Sequence, residues 1–216
     1  MATQVIRATE EGAIERAAEV LRGGGLVVFP TDTVYGLAAH VGDREAIARI
    51  YEAKGRNTSR PIALLLSDVE HLPKVAVLPE SILPLARRFW PGGLTLVVPK
   101  TDAVPTVVSP GPTVGVRIPD LDLARGIIRA AGGVLAVTSA NLSGQPAALT
   151  AQEALEQLAG RVDLIVDGGP CRGGIPSTVL DCTVWPPAIL REGAIPEAEI
   201  RAALAEQERQ RAPEDG

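Results

Sequence analysis

The 216-residue sequence predicts one domain built on a mixed β-sheet covered by helices. Three observations carry this. Helical and strand patterns alternate, yet several strand patterns follow one another directly, unlike a strict βαβ repeat. Hydrophobic residues make up 46%, enough for a full core and too many for a disordered chain. No internal repeat or linker divides the chain, and single α/β domains commonly reach this length.

Each element has a local reason. Thr9 is placed to cap a helix over about 10–22, with Ile14, Ala17, Ala18 and Leu21 on one face, and the glycines at 23–25 end it. LVVFP (26–30) reads as a buried strand and TDTVYGLAAHV as the loop after it. Asp43 caps a helix over about 44–53, with Ile47, Ile50 and Tyr51 facing inward, and Gly55 terminates it. PIALLLS (61–67) is a strand, and PESILPLARRFW (79–90) is a helix with a proline interruption, closed by PGG. LTLVVP (94–99) and VGVRIP (114–119) are strands; DLARGIIRAAGG is a helix leading into the buried strand VLAVTSA. Thr150 and Glu153 have the spacing of a capping box at the head of TAQEALEQLAG. VDLIVD, STVLDCT and AILRE complete the strands, a last helix covers about 196–206, and residues 207–216 read as a polar tail.

Composition argues against several functions. A formal net charge of −5 does not suit a general nucleic-acid coat, and 3% aromatic residues do not suit binding of single strands by base stacking. A local basic pocket remains compatible with the total. Cys171 and Cys182 lack zinc-type spacing and read as thiols of a reducing cytosol. No signal-peptide pattern or membrane-spanning apolar run occurs, so the expected location is cytoplasmic, away from the membrane. The glycines at 23–25 run from helix into strand, the reverse of a phosphate-binding loop. Ser139 has Val137 and Asn141 where a nucleophile elbow needs glycines. Asp32, Asp167 and Asp181 show no spacing distinctive of a paired-carboxylate site.

The remaining polar residues fall at strand ends. In EAKGRNTSRPIALLL, Lys54, Arg56 and Arg60 converge on a short turn before a buried strand, where α/β sheets place ligands. A lone lysine there would read equally as a cation favoured by the helix dipole. Arg117 interrupts an apolar strand and needs an anion, either a ligand or a structural partner such as Asp120. PTDTVYG offers Thr31, Asp32, Thr33 and Tyr35; TSAN offers Thr138, Ser139 and Asn141; PSTVLD offers Ser177 and Thr178; AILREG offers Arg191. Singly, each reads as well as a cap or turn. Together they suit an anionic nucleotide and a small polar substrate, not a metal cage built by protein.

FPTDTVYGL, KGR before an apolar strand, WPGGLTLV, GVRIPD, TSANLSG, PSTVLD and LREG occur in this order over about residues 10–195. They resemble the YrdC-like threonylcarbamoyl-AMP synthase family in its short, single-domain form. The resemblance implies an α+β fold: a mixed twisted β-sheet flanked by helices, with a concave ligand-binding face, over residues 1–206. It implies a nucleotidyltransferase that makes threonylcarbamoyl-AMP and pyrophosphate from L-threonine, bicarbonate and ATP. The product would pass to a tRNA threonylcarbamoyl transferase complex for the t6A37 modification of tRNA, with tRNA contact by this chain weak. Carried over by motif, Lys54 and Arg56 are catalytic; Lys54, Arg56, Arg60, Thr113, Ser139, Asn141 and Arg191 bind ATP; and Thr33, Arg117 and Ser177 bind threonine. Mg2+ would arrive on ATP, with no metal held by the protein alone. One departure is that PIALLL lacks a histidine that many members carry beside the threonine. Two rival functions are a non-catalytic RNA-binding or ribosome-maturation module, and adenylation of a carbamoyl group derived from carbamoyl phosphate.

Overall fold

The computed structural model describes residues 2–211. In chain order the elements are β1 (Gln4–Arg7), α1 (Ala13–Arg22), β2 (Val27–Phe29), β3 (Gly36–His40), α2 (Arg44–Lys54), β4 (Ala63–Leu66), α3 (Leu72–Val75), α4 (Leu83–Phe89), β5 (Leu94–Pro99), β6 (Thr113–Arg117), α5 (Asp122–Ala130), β7 (Val134–Ser139), α6 (Ala151–Leu158), β8 (Leu164–Asp167), β9 (Thr178–Asp181), β10 (Ala188–Arg191) and α7 (Glu197–Arg211). All the strands join one sheet in the order β1-β8-β2-β3-β7-β4-β6-β5-β9-β10. The pairs β1–β8, β2–β8, β4–β6 and β5–β9 are parallel and the others antiparallel, so the sheet is mixed. The α+β architecture expected from the sequence is the observed one.

Side-chain alternation along each strand decides what each face meets. On one face, Val28, Leu37, Leu64, Leu66, Leu96, Val98 and Leu180 join Ile47 and Ile50 of α2, Phe89 of α4, Leu158 of α6 and Leu204 of α7 in the larger core. On the other face, Phe29, Ala38, Leu135 and Val166 pack beneath Leu21 of α1 and Ile127 and Ile128 of α5. Each of the Val, Leu, Ile and Phe side chains among them contributes about 1.5–3 kcal/mol when fully buried. These two helices stop short of the rest of that face. Over β4, β6, β5 and β9 the residues Ala63, Gly115, Arg117, Thr95, Val97 and Val179 line an open cleft instead. That uncovered half-face is the concavity.

Several local expectations are corrected. Thr9 does not cap α1: the helix begins after Gly12, at φ +76°, with no side-chain cap. The segment read as a loop after residue 30 contains β3, because GLAAH pairs with both β2 and β7 despite its weak strand propensity. β1 is an edge strand in a polar stretch for which the sequence predicted no element; pairing with β8 creates it. At α6 Thr150 accepts from Glu153 N as expected, but the Glu153 carboxylate accepts from Leu149 N, one residue before the cap. The last helix extends to Arg211, five residues beyond the expected end at 206. AEQERQR is rich in good helix formers, and Gln207 is buried. The rest of the expected tail, 212–216, lies outside the described residues.

Candidate active site

The cleft has a volume of about 280 Å³ and is lined from β4, β5, β6, β7 and β9 together with the turn after β2. At one end the turn between β2 and β3 is tied to itself. The Thr31 hydroxyl donates to Val34 O (2.7 Å) and accepts from Thr33 N and Val34 N. The Thr33 hydroxyl lies 3.0 Å from it and accepts from Arg117 Nη1 (2.9 Å). Arg117 is 5% exposed and donates further to Gly92 O through Nε (2.8 Å) and to Asp32 Oδ1 through Nη2 (2.5 Å). Burial pulls its pKa down and the Asp32 charge opposes that. The structural partner of Arg117 is therefore Asp32, not Asp120, whose backbone N–H donates to the same Asp32 oxygen (3.1 Å).

A glycine-rich strap, residues 168–177, closes this end. Gly173 N donates to Asp32 O (3.1 Å) and Gly174 N to Thr33 O (3.0 Å). A Cβ at Gly173 would stand 2.6 Å from Asp32 O, so only glycine permits this approach. Tyr35, fully buried, donates to Gly169 O (2.7 Å) and accepts from Gly168 N, and burial raises its pKa so that it stays a neutral phenol. The strap ends at Ser177, whose hydroxyl lies 2.8 Å from the Thr95 hydroxyl. Arg191 donates to Ser177 O through Nε (3.2 Å) and Nη2 (2.7 Å).

The other end is built from the C-terminus of α2. Gly55, at φ +57°, reverses the chain, and Arg56 then donates to Arg60 O and Pro61 O (3.0 Å) beside the cleft. Lys54 is 2% exposed. Its ammonium donates to Ser139 O and to Asn141 O (2.6 Å), and Ser143 N donates to Lys54 O (2.9 Å). It has no carboxylate partner among the described residues. Burial, and then the Arg56 charge, pull its pKa down to about 7, while the two carbonyls favour the ammonium form.

The depressed Lys54 pKa has a measurable consequence. Below about pH 7 the side chain is protonated both folded and unfolded; from there up to 10.5 only the unfolded chain holds the proton. The Lys54 contribution to folding stability therefore rises with pH over that window. Urea titrations across it should show a shallower rise with pH in Lys54→Met than in the unsubstituted protein.

Of the residues singled out from sequence, Thr33, Arg56, Arg117, Ser139, Ser177 and Arg191 line the cleft together. Lys54 and Asn141 stand behind its wall, joined through the Ser139–Asn141 turn. Asn141 Nδ2 donates to Leu142 O and Gln145 O, and its buried Oδ1 has no partner among the described residues. Thr113 and Arg60 are not among the lining residues: Thr113 pairs with Pro99 at the start of β6, and Arg60 is exposed. Thr95 also lines the cleft, although a threonine in LTLVV reads from sequence as an ordinary strand residue. A hydroxyl inside an otherwise apolar run was the available signal. No group of three or more His, Cys, Asp or Glu side chains comes together among the described residues. The arrangement offers guanidinium groups and hydroxyls to oxyanions.

A family model named for Sua5, YciO and YrdC, described as "Telomere recombination", matches residues 19–193. Curated relatives named threonylcarbamoyl-AMP synthase include one from Pyrococcus abyssi, 44% identical over 91% of this chain and 58% of its own length. Another, from Bacillus subtilis, is 43% identical over the same shares. A crystal structure of P. abyssi Sua5 complexed with L-threonine superposes with a TM-score of 0.90 at 42% identity, covering 95% of this chain and 62% of that one. The chain thus spans about three fifths of the length of these relatives.

Proposed function

The chain belongs to the Sua5/YciO/YrdC family, and from that premise we propose that it is an L-threonylcarbamoyladenylate synthase, joining L-threonine, bicarbonate and ATP. The observation that supports this best is that Thr33, Arg117 and Ser177 share one cleft with Arg56, Ser139 and Arg191. In this reading the first three hold the amino acid and the second three the nucleotide. Arg117 is held by three separate acceptors and keeps an N–H on each terminal nitrogen for the substrate carboxylate. Lys54 adds its charge from behind the Ser139–Asn141 turn, and the unpartnered Asn141 Oδ1 awaits a donor from the nucleotide. Arg60 and Thr113 serve the nucleotide only from the margin.

The threonine ammonium and bicarbonate form a carbamate, releasing water and one proton. A carbamate oxygen then attacks the α-phosphorus of ATP, the bond to the β-phosphate breaks, and pyrophosphate leaves. Charge grows on phosphate oxygens, where the Arg56 guanidinium stabilises it together with Lys54, whose ammonium form the bound polyanion favours. The carbamate is already anionic, so its attack asks no base of the protein. Asp32, the acid closest to Arg117, is occupied by that partner. A Mg2+ ion would come with ATP, held by phosphate oxygens and water, and would supply charge neutralisation there. The product would pass, in the cytoplasm, to a tRNA threonylcarbamoyl transferase complex.

The test is pyrophosphate release from ATP with threonine or bicarbonate omitted in turn. Release should require both. Release indifferent to both, or supported instead by carbamoyl phosphate, would overturn the reading. Binding of RNA that weakens steeply with salt, with no turnover, would favour an RNA-binding module.

A further inference from the structure

We propose that Thr95, with Ser177 and Arg191, forms the seat for bicarbonate between the amino-acid and nucleotide ends of the cleft; this rests on the function proposed above. Thr95 is 4% exposed and Ser177 7% exposed, and both line the cleft. A buried hydroxyl in a strand of Leu and Val side chains needs a partner, and Thr95 has one in Ser177 Oγ at 2.8 Å. Its methyl group is accommodated by Gly115 on the neighbouring β6, where a Cβ would stand 3.1 Å away. Valine would have the same shape here, so packing does not explain the hydroxyl.

One hydroxyl of the pair donates to the other, which leaves one O–H free. Arg191 Nη2 lies 3.4 Å from Ser177 Oγ, while Nη1 makes no hydrogen bond among the described residues. A free hydroxyl and an unengaged guanidinium nitrogen suit a small planar oxyanion. A neutral substrate hydroxyl would leave the guanidinium charge unanswered. Arg191 shares the cleft with Arg56 and Arg117, where burial first, and the Arg191 charge as a lesser cause, lower the pKa of both. An anion there relieves all three cations.

The experiment uses the full chain in buffer stripped of carbon dioxide, with pyrophosphate release followed as each substrate is varied. Thr95→Val should raise the apparent KM for bicarbonate about tenfold or more. The values for ATP and L-threonine should stay within about twofold, and Thr95→Ser should restore the bicarbonate value. Thr95→Ala gives the same comparison should the valine variant not fold. An unchanged bicarbonate KM, or all three constants shifting together, overturns the seat. Unsubstituted protein that releases pyrophosphate without needing bicarbonate overturns the underlying function instead, so the two failures are distinguishable.

Discussion

Arg56→Ala is expected to lower the turnover of threonine- and bicarbonate-dependent pyrophosphate release by about 10²–10³-fold, the usual loss when one preorganised electrostatic donor is removed. Its side chain lines the cleft and is anchored by backbone carbonyls of its own loop, Arg60 O and Pro61 O. Removing it leaves no buried charge without a partner, so the melting temperature should change little. Arg56→Lys keeps a point charge but loses the planar fork, and should recover only part of the rate. Near-normal turnover in Arg56→Ala would remove this residue from the proposed chemistry.

Asp32→Ala should have the largest effect on stability, a loss of about 3–5 kcal/mol, the range for breaking one partner of a buried ion pair. The Arg117 side chain is 6% exposed and its carboxylate partner 17%. Without Asp32, the guanidinium keeps only Thr33 Oγ1 and Gly92 O, and Asp120 N loses its acceptor. Urea unfolding at neutral pH measures the loss. Asp32→Asn retains an acceptor oxygen and should cost less. In Asp32→Ala combined with Arg117→Met no unpaired charge stays buried, so the double variant should lose less than the sum of the single ones. Simple additivity would mean that the pair is not coupled in this way.

The elements legible in sequence were those with local determinants. Asp43 caps α2 through Ala46 N and Gly55 ends it in the left-handed region, both as expected. LTLVVP spans β5 over the expected residues. By contrast, β1 and β3 lack a strong local pattern and exist because β8, β2 and β7 offer them partners. The site residues at strand ends were legible as a set of cations and hydroxyls. Their division of labour was not. Lys54 looked like a residue of the open turn, and it is a buried brace on the carbonyls of residues 139 and 141.

From sequence alone came the identity of most strands and helices, the α+β class and the list of polar groups at strand ends, since alternation, caps and glycine stops act over a few neighbouring residues. Tertiary structure decided the rest. It chose Asp32, 85 positions away, over Asp120, three away, as the partner of Arg117. It brought Thr95 to Ser177 across the β5–β9 pairing, and it left half of one sheet face uncovered as the cleft. Those outcomes depend on strand order and on where two helices stop, which no short stretch of sequence encodes.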